Sequence, residues 1–512
     1  MLRGNTRTSA CAAVWLCLLV VLCGGCSESR KPDSTSGGSG GAGGGLGPFG
    51  NPDGGGATFT NDGAVCAPDD DTCIDETPSG GPDGGTHHPG DSAVTDPHDD
   101  GGTPDAAHLD PDGATDPDPE PDAAEPEPDA EIIDPEDGST PTAATYKIDL
   151  LFVIDNSNSM LAEQAALRAQ FPMLISLLLN STAIGGGEDV VAGAQDIHLG
   201  VVSSDLGAPG VLDIAGCSGT GDDGVLRNTA AADAVGCSET IYTPRFLSYV
   251  AGTDDPAQTA TDLSCIAALG NDGCGFEMQL ESMLKAVWPG DDGRVAFLGD
   301  PSGFGTTGQA GTAFPNGDFV RPSDDDDVSV LAVVMVTDEE DCSSNDTAHL
   351  VPSFSQMGLN TRCYYEGLAP EPNRLFDVSR YVSALRNLRP GYEQRVVFGA
   401  IVGVPTALVT EAALSAVDFS NSAERNAHYD AVLNHPLMQE AVDDRGNVDP
   451  ADDTMVPSCT TTSGSALAYP PRRIVEVARG FGEHGFVQSI CEEDWSYAIE
   501  LLATRIAQAR SE

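Results

Sequence analysis

From residue 146 onward the chain alternates short apolar runs with stretches whose apolar residues recur every three or four positions. The runs over 148–154, 197–203, 329–336, 395–402 and 485–490 have strand length and are dominated by apolar side chains, as strands inside a parallel sheet are. Helical spacing is carried by 160–179, 257–269, 277–287, 472–479 and 495–509. In the first of these, Leu161, Ala165, Leu167, Phe171 and Leu174 predict the face turned to the core. Strands alternating with helices predict an α/β fold with a mainly parallel sheet.

Oxygen side chains collect where the predicted strands end. The first run passes directly into Asp155, Ser157 and Ser159, three oxygen donors within five positions. In open parallel sheets the carboxyl edge is where ligands bind. A hard divalent cation, magnesium first and manganese or calcium as alternatives, suits one carboxylate, two hydroxyls and retained waters. The competing expectation is a strand-to-helix turn in which Ser157 or Ser159 caps the following helix. The second run ends in Ser203, Ser204 and Asp205, which can support a neighbouring site; Asp205 reads as a turn residue before Gly207. The 329–336 run leads to Thr337-Asp338-Glu339-Glu340-Asp341. Such an acidic run predicts a solvated loop, except that Asp338, first after Thr337, can stand over the sheet edge beside Asp155. Two carboxylates there repel unless a cation lies between them.

With its preceding strand and following helix, Asp155-Asn156-Ser157-Asn158-Ser159 resembles the DxSxS motif of the von Willebrand factor type A domain, and Asp338 lies in a similar Thr-Asp setting. The resemblance spans residues 147–510, with long insertions at 208–255, 342–375 and 404–470. It implies a doubly wound sheet flanked by helices, with one antiparallel edge strand. It also implies a metal-ion-dependent adhesion site in which Asp155, Ser157, Ser159 and Asp338 hold the cation and a partner protein supplies a carboxylate. The family's third metal loop usually offers a threonine; here Cys274 or Gly275 stands in that place. Glu277 is the nearest replacement oxygen, with a first-turn carboxylate favoured by the helix dipole as the equal alternative.

The amino terminus changes the picture of where this head sits. Two arginines precede an apolar stretch over 10–23, the pattern of a secretory signal. Its end, Leu22-Cys23-Gly24-Gly25-Cys26, resembles the lipobox of bacterial lipoproteins, which implies cleavage after residue 25 and a lipid on Cys26. The rival reading of Cys23 and Cys26 is a CxxC pair, which needs a folded context. Ser27, in place of an aspartate, leans the expectation towards the outer membrane of the cell envelope. Residues 26–145 then form a linker: from 32 to 146 there are 27 acidic residues and no Lys or Arg, amid Gly, Pro, Ser and Thr. Such a segment buries too little apolar surface to offset its ordering entropy, which predicts disorder. Cys66 and Cys73 predict a small disulfide loop there.

Over 512 residues the net charge is −56, which argues against nucleic acid as a charge-driven partner. Eight cysteines follow residue 146, and an even number in an exported chain predicts bridges. Sequence proximity suggests Cys217 with Cys237, Cys265 with Cys274, Cys342 with Cys363, and Cys459 with Cys491; the paired spacing of a structural zinc site is absent. There is no HExxH, GxSxG or P-loop, and His198 inside the second strand reads as a packed residue. The expectation is a non-catalytic, lipid-anchored module over 146–512 that binds a partner protein through a divalent cation and has no small-molecule substrate. Its alternative is a structural surface module whose metal only stabilises the fold or is absent.

Overall fold

The structure, a computed structural model, describes residues 146–511 apart from 181, 184–189, 212–213, 215, 233, 238–239, 300–306, 351–357, 359–360, 371–372, 447–448 and 465. The leader over 1–25, Cys26 and the linker over 26–145 lie outside the described residues.

Six strands make the central sheet: β1 (Lys147–Ile154), β2 (Asp196–Ser203), β3 (Leu247–Val250), β4 (Ser329–Val336), β5 (Val396–Val402) and β6 (Gly485–Ser489). Their order across the sheet is β6-β5-β4-β1-β2-β3. All neighbours run parallel except β3, which pairs antiparallel with β2 at one edge. The chain winds outward from β1 through β2 to β3, then returns to the other side of β1 at β4. β1 and β4 therefore flank the point where the winding reverses, the crevice where open α/β sheets bind ligands.

Alternation along β1 feeds two cores. Ile148, Leu150, Phe152 and Ile154 pack towards α1 (Leu161–Leu179), α2 (Pro256–Ile266) and α9 (Ser496–Ser511). Leu151 and Val153 face the opposite layer, built on α3 (Gln279–Val287), α5 (Ser379–Arg386), α7 (Ser422–Leu433) and α8 (Arg472–Gly480); the short α4 (Arg362–Gly367) and α6 (Glu411–Ser415) fall between these in the chain. Helices on both faces explain why β1 and β4 are apolar through nearly their whole length. Among the described residues, no helix is long and apolar enough to cross a membrane.

Two expectations about α1 are corrected. Leu161 is 53% exposed and Ala165 is exposed, whereas Glu163 and Gln164 are buried. The inward positions of the first turn are polar because they face the crevice rather than the hydrophobic layer. Gln164 Nε2 donates to the carbonyls of Asp155 (3.0 Å) and Gly270 (2.9 Å), and its Oε1 accepts from the Leu269 amide (3.1 Å). Neither Ser157 nor Ser159 caps α1, whose N-cap position is Met160 without a side-chain hydrogen bond.

The bridges join Cys217 to Cys274, Cys237 to Cys265, Cys342 to Cys363 and Cys459 to Cys491. The last two match the sequence expectation. The first four cysteines cross over instead: Cys265 is in α2 and meets Cys237, while Cys274, nine residues on, has left the helix and meets Cys217. The 208–255 insertion is thus tied at two places, and it contributes the short β3.

Candidate functional site

The register of the sheet brings the two predicted segments to one rim. Ile154 pairs with Val336, and the Asp155 amide donates to the Val336 carbonyl at 2.9 Å, so Asp155 and Thr337 leave the sheet side by side. Thr337 Oγ1 donates to Asp155 Oδ2 at 2.7 Å. The Ser157 amide donates to Asp155 Oδ1 at 2.7 Å, and Ser204 Oγ at the end of β2 lies 3.4 Å from the same oxygen. The Ser157 and Ser159 hydroxyls are 3.3 Å apart, and the Ser159 side chain also hydrogen-bonds the Asp338 carboxyl. Asp155, Ser157, Ser159 and Asp338 are brought together, Asp155 wholly buried and Ser159 exposed at the mouth.

The third loop closes the site from another direction. Gly273 N donates to the Asn156 carbonyl at 2.9 Å, and a Cβ on Gly273 would stand 2.3 Å from Asn156 Oδ1, so any larger residue there would have to displace the Asn156 side chain. Glu277 lies two residues before α3 rather than in its first turn, so the helix-dipole alternative does not describe it. Its carboxyl is buried, within electrostatic reach of Asp155, Glu339 and Asp338. The Cys217–Cys274 bridge anchors this loop.

Five carboxyl groups converge here without a basic partner among the described residues. Burial raises the Asp155 carboxyl above its ordinary range, against hydrogen bonds that lower it, chiefly from Thr337. Burial and the Asp155 charge push Asp338 up to about 7. Burial is likewise the main cause of the high Glu277 and Glu339 values and of the raised Glu163, each reinforced by Asp155. The basic side chains pair elsewhere: Arg321 and Arg389 with Asp149, Arg380 with Glu281, Arg473 with Asp341. Asp338 Oδ1 is buried with no hydrogen-bond partner. A lone pair turned inward among repelling carboxyls fits a cation better than it fits a packed turn. Among the described residues, however, no group of three or more His, Cys, Asp or Glu side chains has metal-holding geometry, so a cation at this rim depends on the serine hydroxyls.

The acidic run after β4 is not the solvated loop its composition predicts. Asp341 is buried, accepts from the Leu280 amide (3.0 Å) and Ser343 Oγ (2.6 Å), and pairs with Arg473 at 3.0 Å. Glu339 and Glu340 are half-buried, and burial followed by the nearby Glu440 and Asp341 charges raises Glu340 to about 8. Asp205 is a turn residue as expected: its Oδ1 accepts from the Gly207 amide at 2.7 Å, where Gly207 has φ +62°. His198 is packed, its ring 4.4 Å from that of Phe246 and its Nδ1 3.0 Å from the Phe319 carbonyl. Sequence reasoning missed Glu163, Glu339 and the clamping role of Thr337. Only Thr337 carried a signal, as a hydroxyl directly off a strand beside Asp338.

Comparison of the chain with protein-family models finds no match, and comparison with curated proteins finds none either.

Proposed function

We propose that the globular part is a von Willebrand factor type A-like module that holds one divalent cation at the β1–β4 rim and uses it to bind a partner protein. The supporting observation is the meeting of Asp155 and Asp338 at the reversal point of the sheet, with Thr337, the residue before Asp338, hydrogen-bonded to Asp155 and Asp338 Oδ1 buried without a partner. Asp155, Ser157, Ser159 and Asp338 would hold the ion, magnesium before manganese or calcium, and Glu277 would add charge from the third loop. The cation supplies an electrophilic coordination position for an oxygen of the partner. In this reading the module is not catalytic.

We further propose that the chain is exported and carried on a lipid at Cys26, with the 26–145 segment as tether and the outer membrane as site. Four disulfides support an oxidising compartment.

A second reading has its own support. Asp155 is already hydrogen-bonded by Ser157, Ser204 and Thr337, which suits a structural module in which metal stabilises the fold or is absent. Chelation separates the two. If the adhesion reading holds, EDTA releases an envelope-protein partner from the immobilised protein, magnesium restores it, and Asp155→Ala never captures it. If the structural reading holds, EDTA lowers the melting temperature at most, and capture is the same with and without metal.

A further inference from the structure

Away from the rim, a cavity of about 500 Å³ opens between the 411–420 segment and α9. Phe419, Tyr497 and Leu501 form its apolar side, Thr504 and Arg505 stand on its polar side, and two acids, Asp418 and Glu483, are also on the wall. An apolar side facing a few fixed polar groups is the usual make-up of a small-ligand site, and the volume is in the usual range.

Arg505 is the basic group on this wall. It is 7% exposed, its Nε has no hydrogen-bond partner, and Nη1 donates to Gln508 Oε1 at 2.9 Å, a neutral acceptor on the same helix. The Phe419 ring lies over the guanidinium, its centroid 4.7 Å from the central carbon. Five arginines are buried among the described residues: Arg362, Arg389, Arg395, Arg505 and Arg510. Arg389 has the Asp149 carboxylate, and Arg362, Arg395 and Arg510 have main-chain carbonyls. Arg505 has neither. Glu483, also on the cavity wall, acts on it through space without forming an ion pair. A buried cation lacking a counter-charge is destabilising, and a ligand that brings one is favoured accordingly.

We infer that this cavity binds a small organic carboxylate, its apolar body between Phe419, Tyr497 and Leu501 and its charge on the Arg505 guanidinium. Guanidinium and carboxylate match in plane and charge, and the aromatic face that already covers Arg505 excludes water from the pair.

Benzoate, titrated into the full chain by calorimetry with benzamide as its neutral counterpart, tests this. Benzoate is expected to bind, with benzamide weaker by on the order of tenfold or more, since only the anion makes the charge-assisted contact. Arg505→Lys weakens benzoate while leaving the fold intact by circular dichroism, and Thr504→Phe, which fills the cavity without removing the arginine, abolishes binding. Glu483→Gln, which removes the competing carboxylate, tightens it. Equal affinity for benzoate and benzamide overturns the inference. So does absence of benzoate binding to the native protein; binding that appears only in Glu483→Gln would make Glu483 the counter-ion and equally overturn it.

Discussion

Thr337 donates its hydroxyl to Asp155 Oδ2 at 2.7 Å, so a residue leaving β4 fixes the orientation of the carboxylate leaving β1. The contact is buried on both sides, and the Gln279 side-chain amide lies 2.9 Å behind the same hydroxyl. Thr337→Val keeps the shape and removes the donor. The expected loss is about 1–3 kcal/mol of stability, with magnesium affinity lowered on the order of tenfold, because Asp155 is left both under-bonded and free to rotate. Thr337→Ser retains both properties. Urea unfolding and calorimetry on the three proteins check this; a Val variant that binds magnesium like the native protein separates Thr337 from the site.

Asp149 offers the contrasting case, a buried acid whose work is structural. It lies within β1, wholly buried, and pairs with Arg321 at 2.7 Å and Arg389 at 3.0 Å while accepting from Ser329 Oγ at 3.1 Å. Asp149→Ala leaves the buried Arg389 without its counter-charge and Arg321 with Asp196 alone, and the expected destabilisation is about 3–5 kcal/mol. Magnesium affinity of the folded fraction stays unchanged, since Asp149 precedes the rim by six positions along the strand. Denaturant curves with and without magnesium give both quantities.

Protonation gives the site a pH signature whose direction is fixed by the raised Asp338 value, about 7 against an ordinary 3.8. Between those values the folded metal-free protein holds a proton that the unfolded chain has lost. Stability from this group is therefore complete below the unfolded value and falls as pH rises through about 7. Cation binding runs the other way, because protons compete for the same oxygens, so magnesium affinity rises from pH 6 to pH 8. Melting temperatures in EDTA should fall over that interval more steeply than in saturating magnesium. Asp338→Asn should reduce the difference, and an identical slope in native and variant proteins would remove Asp338 from the account.

The bridge between Cys217 and Cys274 holds the loop that carries Gly273 against Asn156. Replacing both cysteines with serine is expected to cost about 2–5 kcal/mol. It also weakens magnesium binding, whereas the same change at Cys342 and Cys363 lowers stability with a smaller effect on affinity. Peptide mapping under non-reducing conditions should recover 217 linked to 274 and 237 linked to 265. Recovery of 217 with 237 would contradict the fold of the insertion.

Much of this arrangement is legible in the chain because its strongest signals are local. Apolar runs that stop at Asp155, Ser204 and Thr337 mark strand ends, and the sheet puts those ends on one rim. What was hidden depends on tertiary surroundings. Glu163 and Gln164 look like surface residues of an amphipathic helix and become interior only because α1 begins over the crevice. β3 has four residues, two of them exposed, inside an insertion without clear periodicity. The acidic run after Asp338 is held inward by Arg473, more than a hundred residues later. Sequence proximity misassigned the first two bridges because α2 ends between Cys265 and Cys274 and sends the two cysteines in different directions.

The central claim is that the oxygens around Asp155 and Asp338 bind a divalent ion. Isothermal titration of the purified, EDTA-treated protein with magnesium and then manganese measures this directly. One site per chain is predicted, lost in Asp155→Ala and weakened in Ser159→Ala, with the fold of both variants retained by circular dichroism. No heat from either metal, or a binding isotherm that Asp155→Ala leaves unchanged, would contradict it.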